Sequence, residues 1–131
     1  MKHLTVIIVL LALSACAAHQ TTSSAPQEEW LALNRRFISL FTKGDFDQAL
    51  ATALKEVDLA RDFTPRENAD LATSLNNLGV TYFAMGRFEE AREPLQRALA
   101  MREKILGPNH AEVATTLGNL GELYVAVNMA S

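Results

Sequence analysis

Residues 71–79 read LATSLNNLG, and residues 113–121 read VATTLGNLG, with six of the nine letters kept at an offset of 42 residues. The echo extends well beyond the phrase. At the same offset, Gly44-Asp45-Phe46-Asp47-Gln48-Ala49 superposes on Gly86-Arg87-Phe88-Glu89-Glu90-Ala91, and Ala69-Asp70-Leu71-Ala72 superposes on Ala111-Glu112-Val113-Ala114. A fixed period of this length requires one supersecondary unit stacked on copies of itself, because a single unit cannot bury its own apolar face.

Each period holds two helices. Leu71, Leu75, Leu78, Tyr82 and Met85 recur at spacings of three and four, which predicts a helix over 69–85. Gly86 supplies the left-handed residue that closes it. Phe88, Ala91, Leu95, Ala98, Leu99 and Leu106 mark one face of a second helix over 88–106. Gly107-Pro108-Asn109-His110 breaks that helix, with Asn109 as the expected N-cap of the next. Small residues at Gly79, Ala91 and Ala98 fall where two backbones must approach. The expectation is an all-α fold of antiparallel helical hairpins. Leu54, Leu59, Leu71, Leu95, Leu99 and Ile105 are expected in its core, with Met85 and Met101 packing there too.

Leu75, Leu78, Gly79, Tyr82, Ala91, Leu95 and Ala98 stand at the spacing of the tetratricopeptide signature, and the chain resembles that repeat family. LNNLG, GRFEEA, ALAMREKILGPNH and VATTLGNLG, on a 42-residue period, are similar to its kinesin-light-chain subtype. The resemblance implies a short right-handed α-solenoid of about two and a half repeats, at about 30–68, 69–110 and 111–131. The first is degenerate: KGDFDQAL matches well, but Arg36 and Phe37 replace Leu78 and Gly79. Its first helix is expected over 30–43, held by Trp30, Leu33, Phe37, Leu40 and Phe41.

The N-terminus belongs to a different argument. Lys2 and His3 precede an uncharged apolar run, Leu4–Leu13, too short for a membrane span of about 20 residues. Leu13-Ser14-Ala15-Cys16 resembles a bacterial lipobox, which implies a signal peptide over 1–15 and a lipid on Cys16, the sole cysteine. Several acyl chains anchor a protein firmly, at about 0.8 kcal/mol per buried CH₂. Ala17 after the cysteine favours, by the same resemblance, the outer membrane, with the domain facing the periplasm. Residues 16–27 read as the lipidated cysteine and a flexible tether, leaving 28–131 as one small domain. Without Lys2, 11 basic side chains face 15 acidic ones, a net of 11 − 15 = −4, and this carries no electrostatic footprint for nucleic acid.

Catalytic, cofactor and metal sites are not expected. His3 lies in the signal, His19 in the tether and His110 in a turn, with no ligand or base spacing among them. Glu89, Glu90 and Glu93 read as a solvated helix face.

Binding is expected on the concave side of the stack, which the first helix of each pair lines in such repeats. In tetratricopeptide proteins the lining positions correspond to Asn34, Arg35, Ile38 and Phe41 in the first repeat. In the second they are Thr73, Asn76, Asn77, Val80 and Phe83, and in the third Thr115, Asn119 and Glu122. Asn77 aligns with Asn119, and Asn34 with Asn76. An amide both donates and accepts, so such a ladder can hold the backbone of an extended peptide. The same asparagines also suit two blander roles: soluble surface residues, or ties between neighbouring repeats. Arg35 is the sole basic residue among the lining positions, so no clamp for a C-terminal carboxylate is expected.

The third repeat stops early. Asn128 stands where Gly86 would recur and Ala130 where Phe88 would. Leu117, Leu120 and Tyr124 are therefore expected to lack the partner helix that covers their equivalents, leaving an assembly face. Coverage by a second copy or another envelope protein, fold-back of Val125, Val127 and Met129, and truncation relative to longer relatives all fit the letters. The resulting expectation is a lipid-anchored envelope adaptor for a protein or peptide partner. The alternative is a structural accessory subunit that assembles through its last helix, with a second copy as a homo-oligomer or with another protein.

Overall fold

The computed structural model describes residues 24–130. The signal, Cys16 and most of the tether lie outside the described residues. Five helices follow one another: α1 (Ala25–Thr42), α2 (Phe46–Arg61), α3 (Ala69–Ala84), α4 (Phe88–Leu106) and α5 (Ala111–Ala130). The described residues are all-helical and form a short solenoid, as the period requires.

Sequence neighbours pack as antiparallel pairs, and α1 also touches α3, as α3 touches α5. The outer helices α2 and α4 make no such contact. Inner helices that approach while outer ones splay curve the stack, so the face of α1, α3 and α5 is the concave one.

The turns copy one another. Gly44 and Gly86 take φ of 78° and 73°, the left-handed region open to glycine. Asp45 N–H donates to Leu40 O at 3.0 Å, and Arg87 N–H to Tyr82 O at 2.8 Å, so both helices close with the same six-to-one bond.

Two boundaries differ from expectation. α1 begins five residues before Trp30, because Ser24 and Gln27 form its cap: Gln27 Oε1 accepts from the Ser24 backbone N–H at 3.3 Å and from its hydroxyl at 3.2 Å. Residues 25–27 thus belong to the domain and not to the tether. At the other end His110, rather than Asn109, caps α5, with Nδ1 accepting from Glu112 N–H at 3.2 Å.

The core of the first hairpin resolves the puzzle of Phe37. Gly79 in α3 lies against Leu95 in α4; one repeat earlier the same two positions hold Phe37 and Ala53, both buried in one cluster. Large and small have exchanged places, which conserves volume. Trp30 crosses from α1 to α3, its Nε1 donating to buried Ser74 Oγ at 2.8 Å. Among the expected core residues, Leu54 and Ile105 are exposed, at 43% and 41%, since each faces away from the neighbouring repeat. A second cluster gathers Ala91, Leu95, Leu120 and Leu123 between α4 and α5.

Candidate functional site

The asparagines form two equivalent pairs across neighbouring inner helices. Asn77 Nδ2 in α3 donates to Asn34 Oδ1 in α1 at 3.0 Å, and Asn119 Nδ2 in α5 donates to Asn76 Oδ1 in α3 at 3.0 Å. Both bonds span 43 residues, so the second is the first moved along by one repeat. The tie between repeats is therefore what the structure shows of these side chains.

Each pair nevertheless keeps unused capacity. Within the described residues, Oδ1 of Asn77 and Asn119 receives no hydrogen bond, and Nδ2 of Asn34 and Asn76 donates none. All four are part-exposed. The first pair thus offers the Asn34 NH₂ and the Asn77 oxygen, and the second offers the Asn76 NH₂, the Asn119 oxygen and the second Asn119 N–H, held in a fixed mutual orientation by the bond within each pair. Two such units, one repeat apart, have the chemistry needed to hold the C=O and N–H groups of an extended chain.

The other lining positions divide. Arg35 and Glu122 are exposed at the edges of the asparagine row, Thr115 is exposed, and Thr73 is half-buried beside it. Ile38 is 55% exposed on α1. Val80, Phe83 and Phe41 are drawn into packing instead. Val80 lies against both core clusters, and Phe83 meets the Phe88 ring at 5.6 Å. Phe41 sits between Phe37 and Phe46, at 5.5 Å and 5.3 Å. They shape the floor beneath the asparagines and present little surface of their own.

Glu56, unforeseen in the sequence, lies behind the first pair. It is fully buried in α2, and its Oε2 accepts from Asn77 Nδ2 at 3.1 Å while Oε1 has no partner. Burial pushes its carboxyl up to about 7, against a smaller lowering from the Asn77 bond. The offset could have revealed it: Glu56 stands where the next repeat has Ala98, a charged group in a slot for a small one.

Arg102 was likewise missed. Buried at the α4–α5 joint, it donates from Nη1 to Thr116 Oγ1 at 2.7 Å and to Glu112 O at 3.2 Å. It locks the start of α5 to α4.

A cavity of about 770 Å³ opens on the other side, between the splayed outer helices, with Leu71 and Met101 at its floor and Arg61, Arg66, Arg97 and Lys104 around it. Arg61, Arg97 and Lys104 are engaged by Asp58, Glu93 and Glu67. No cluster of three or more His, Cys, Asp or Glu side chains able to hold a metal ion occurs among the described residues. No helix among them is long and apolar enough to cross a membrane.

The model of the tetratricopeptide repeat matches this chain twice, over residues 32–104 and 70–130. The chain is a member of the tetratricopeptide repeat family. The two matches overlap across α3 and α4, as expected for stacked copies of one unit. No curated protein matches the chain. Tetratricopeptide repeats are in general protein-interaction modules, and typically scaffolds rather than enzymes, which agrees with a site built of amides.

The assembly face needs correction at one residue. Leu120 is 5% exposed, packed with Leu123 against Ala91 and Leu95 of α4. It belongs to the joint between repeats. Leu117 and Tyr124 remain open, at 49% and 43%.

Proposed function

We propose that this chain is an adaptor of the bacterial envelope, tethered by lipid on Cys16 and binding an extended segment of a protein partner along α1, α3 and α5. The observation that carries the binding role is the duplicated amide pair, Asn34–Asn77 and Asn76–Asn119, each with a free NH₂ and a free amide oxygen. A peptide strand repeats its backbone groups with regular spacing, so a receptor with regularly spaced amides holds it whatever its side chains. Side-chain preference would then come from Arg35, Ile38 and Glu122 at the margins.

The tether reading is supported by the resemblance of Leu13-Ser14-Ala15-Cys16 to a lipobox, and the kinesin-light-chain likeness supports an asparagine-lined groove. With Ala17 next to the cysteine, the proposed station is the outer membrane, with the repeats in the periplasm. A second reading, in which the chain serves assembly through its last helix, is favoured by a different surface, the open face of α5.

Selection from a random peptide library against the repeat domain tests the binding role. The expected result is enrichment of extended sequences whose affinity falls about tenfold when Asn76→Ala and Asn119→Ala are combined, about 1.4 kcal/mol. Binders indifferent to that pair of substitutions would contradict it. Metabolic labelling with a radioactive fatty acid tests the anchor: label should enter the wild-type chain and be absent from Cys16→Ser.

A further inference from the structure

The cavity between the outer helices lies where α2 stops short. At the 42-residue offset Arg61, the last residue of α2, falls on Glu103, and α4 runs three residues farther, to Leu106. Residues 62–68 then cross to α3 outside any helix, whereas 107–110 suffice before α5. The longer connection forms one wall and α4 the other, around about 770 Å³. That volume is in the range of roughly 300–1,000 Å³ over which ligand sites are built.

α4 turns a patterned stripe to this space. Arg97, Ala100, Met101 and Lys104 all line it, at the spacing that makes one face of a helix. The two cations stand about 10 Å apart at 1.5 Å per residue, with the small Ala100 and the buried Met101 between them. Leu71 and half-buried Phe63 complete an apolar floor. On the opposite wall Arg61 and Arg66 add positive charge, with the carboxylates of Asp62 and Glu67 among them. Four cations against two carboxylates leave an excess of two positive charges, in a chain whose formal charge is −3.

These cations are free to take a new partner. Arg61 reaches Asp58 at 3.8 Å and Arg97 reaches Glu93 at 3.4 Å, each along the exposed surface of its own helix, and Lys104 meets Glu67. Exposed pairs of this kind hold weakly. Arg66 is exposed, and its guanidinium has no hydrogen bond or ion pair among the described residues.

We propose that the cavity receives an amphipathic helix of a protein partner, with acidic residues at positions i and i+7 and bulky apolar ones at i+3 and i+4. A helix laid along α4 repeats its two-turn spacing, so each carboxylate falls at Arg97 or Lys104 while the apolar pair fills the space over Ala100 and Met101. An extended strand repeats its same-face residues about every 6.6 Å, which brings carboxylates to about 6.6 or 13 Å and misses the cations. The site is on the side opposite the asparagine row and does not depend on peptide binding there.

Fluorescence anisotropy with a hydrocarbon-stapled helical peptide, on the chain from Ser24 onward with all five helices and both core clusters, provides the test. The probe has fourteen residues, with Glu at its third and tenth positions and Leu at its sixth and seventh. It should bind, and bind about tenfold more weakly to Arg66→Glu and to Ala100→Glu, both at exposed positions. Arg36→Glu makes the same charge change as Arg66→Glu at an exposed site on α1 outside the cavity, and should have little effect. Gln in place of both probe Glu residues, or molar salt, should weaken binding as well. Asn76→Ala combined with Asn119→Ala should leave it unchanged, which separates this site from the asparagine groove. Absence of binding, equal losses in Arg36→Glu and Arg66→Glu, a Gln probe as tight as the Glu probe, loss on the asparagine substitutions, or equal affinity for a proline-broken peptide of the same pattern would overturn the proposal.

Discussion

Leu95 closes over Gly79 so tightly that a methyl group on the glycine would fall 2.4 Å from Leu95 Cγ, in a core where Leu95 is wholly buried. Neither the leucine nor the Ala91 carbonyl behind it has room to yield. Gly79→Ala should therefore destabilise: overpacking of about 1–3 kcal/mol outweighs a helix-propensity gain of roughly 1 kcal/mol. Gly121→Ala, in the same register, meets open space and should stabilise the chain by about 0.5–1 kcal/mol. Urea unfolding of the two variants checks the opposite signs; equal effects would mean that α3 and α5 do not share a register.

The buried Glu56 makes stability depend on pH. Its carboxyl titrates at about 7 when folded, against 4.5 ordinarily, so between those values the folded chain holds a proton that the unfolded chain releases. The stabilising contribution is complete below about pH 4.5 and is lost as pH rises through 7, to a limit on the order of 3 kcal/mol. Thermal melts from pH 5 to pH 8 should fall by several degrees, and Glu56→Gln, which keeps an acceptor for Asn77, should flatten the profile and raise the pH 8 value. An unchanged slope in Glu56→Gln would show that another group is responsible.

Arg102 fastens α5. Burial pushes its guanidinium down from the ordinary value, and the Glu112 carboxylate at 3.5 Å acts in the opposite direction. Arg102→Ala removes the donor to Thr116 Oγ1 in a buried joint, while the Glu112 carbonyl keeps the Thr116 hydroxyl at 3.1 Å, at a cost of about 1–3 kcal/mol. Hydrogen exchange should show faster opening of α5 than of α1 to α3. Uniform loss of protection across all five helices would mean that the solenoid unfolds as one unit.

The period made the hairpins legible, because a repeated Gly-x-Phe turn and apolar residues at helical spacing are local signals that packing reinforces. The identical closures at Gly44 and Gly86 follow from that. Other features depend on what lies across the fold. Ser24 starts α1 through a cap that carries no apolar signal, so Trp30 looked like the beginning. Leu120 is the equivalent of Leu78 inside a hairpin, but the same helix also faces the preceding repeat, and that contact buries it. Val80 and Phe83 carry helical spacing that suits either a groove or a core, and only the neighbouring ring of Phe88 decides. The asparagine pairs were visible as a ladder, though not which amide hydrogen was already committed. Glu56 was hidden because one glutamate in a charged helix resembles any other until it is superposed on Ala98.

On the proposed reading, the free donors of Asn34 and Asn76 and the free acceptors of Asn77 and Asn119 hold an extended chain. Backbone and side-chain amide resonances of a nitrogen-15-labelled domain, followed while a selected peptide is titrated, provide the test. The largest shifts are expected at the Asn34 and Asn76 side-chain NH₂ groups, with Asn77 and Asn119 keeping their existing bonds. Shifts confined to the outer cavity around Arg66 and Lys104, with the four asparagines still, would contradict it.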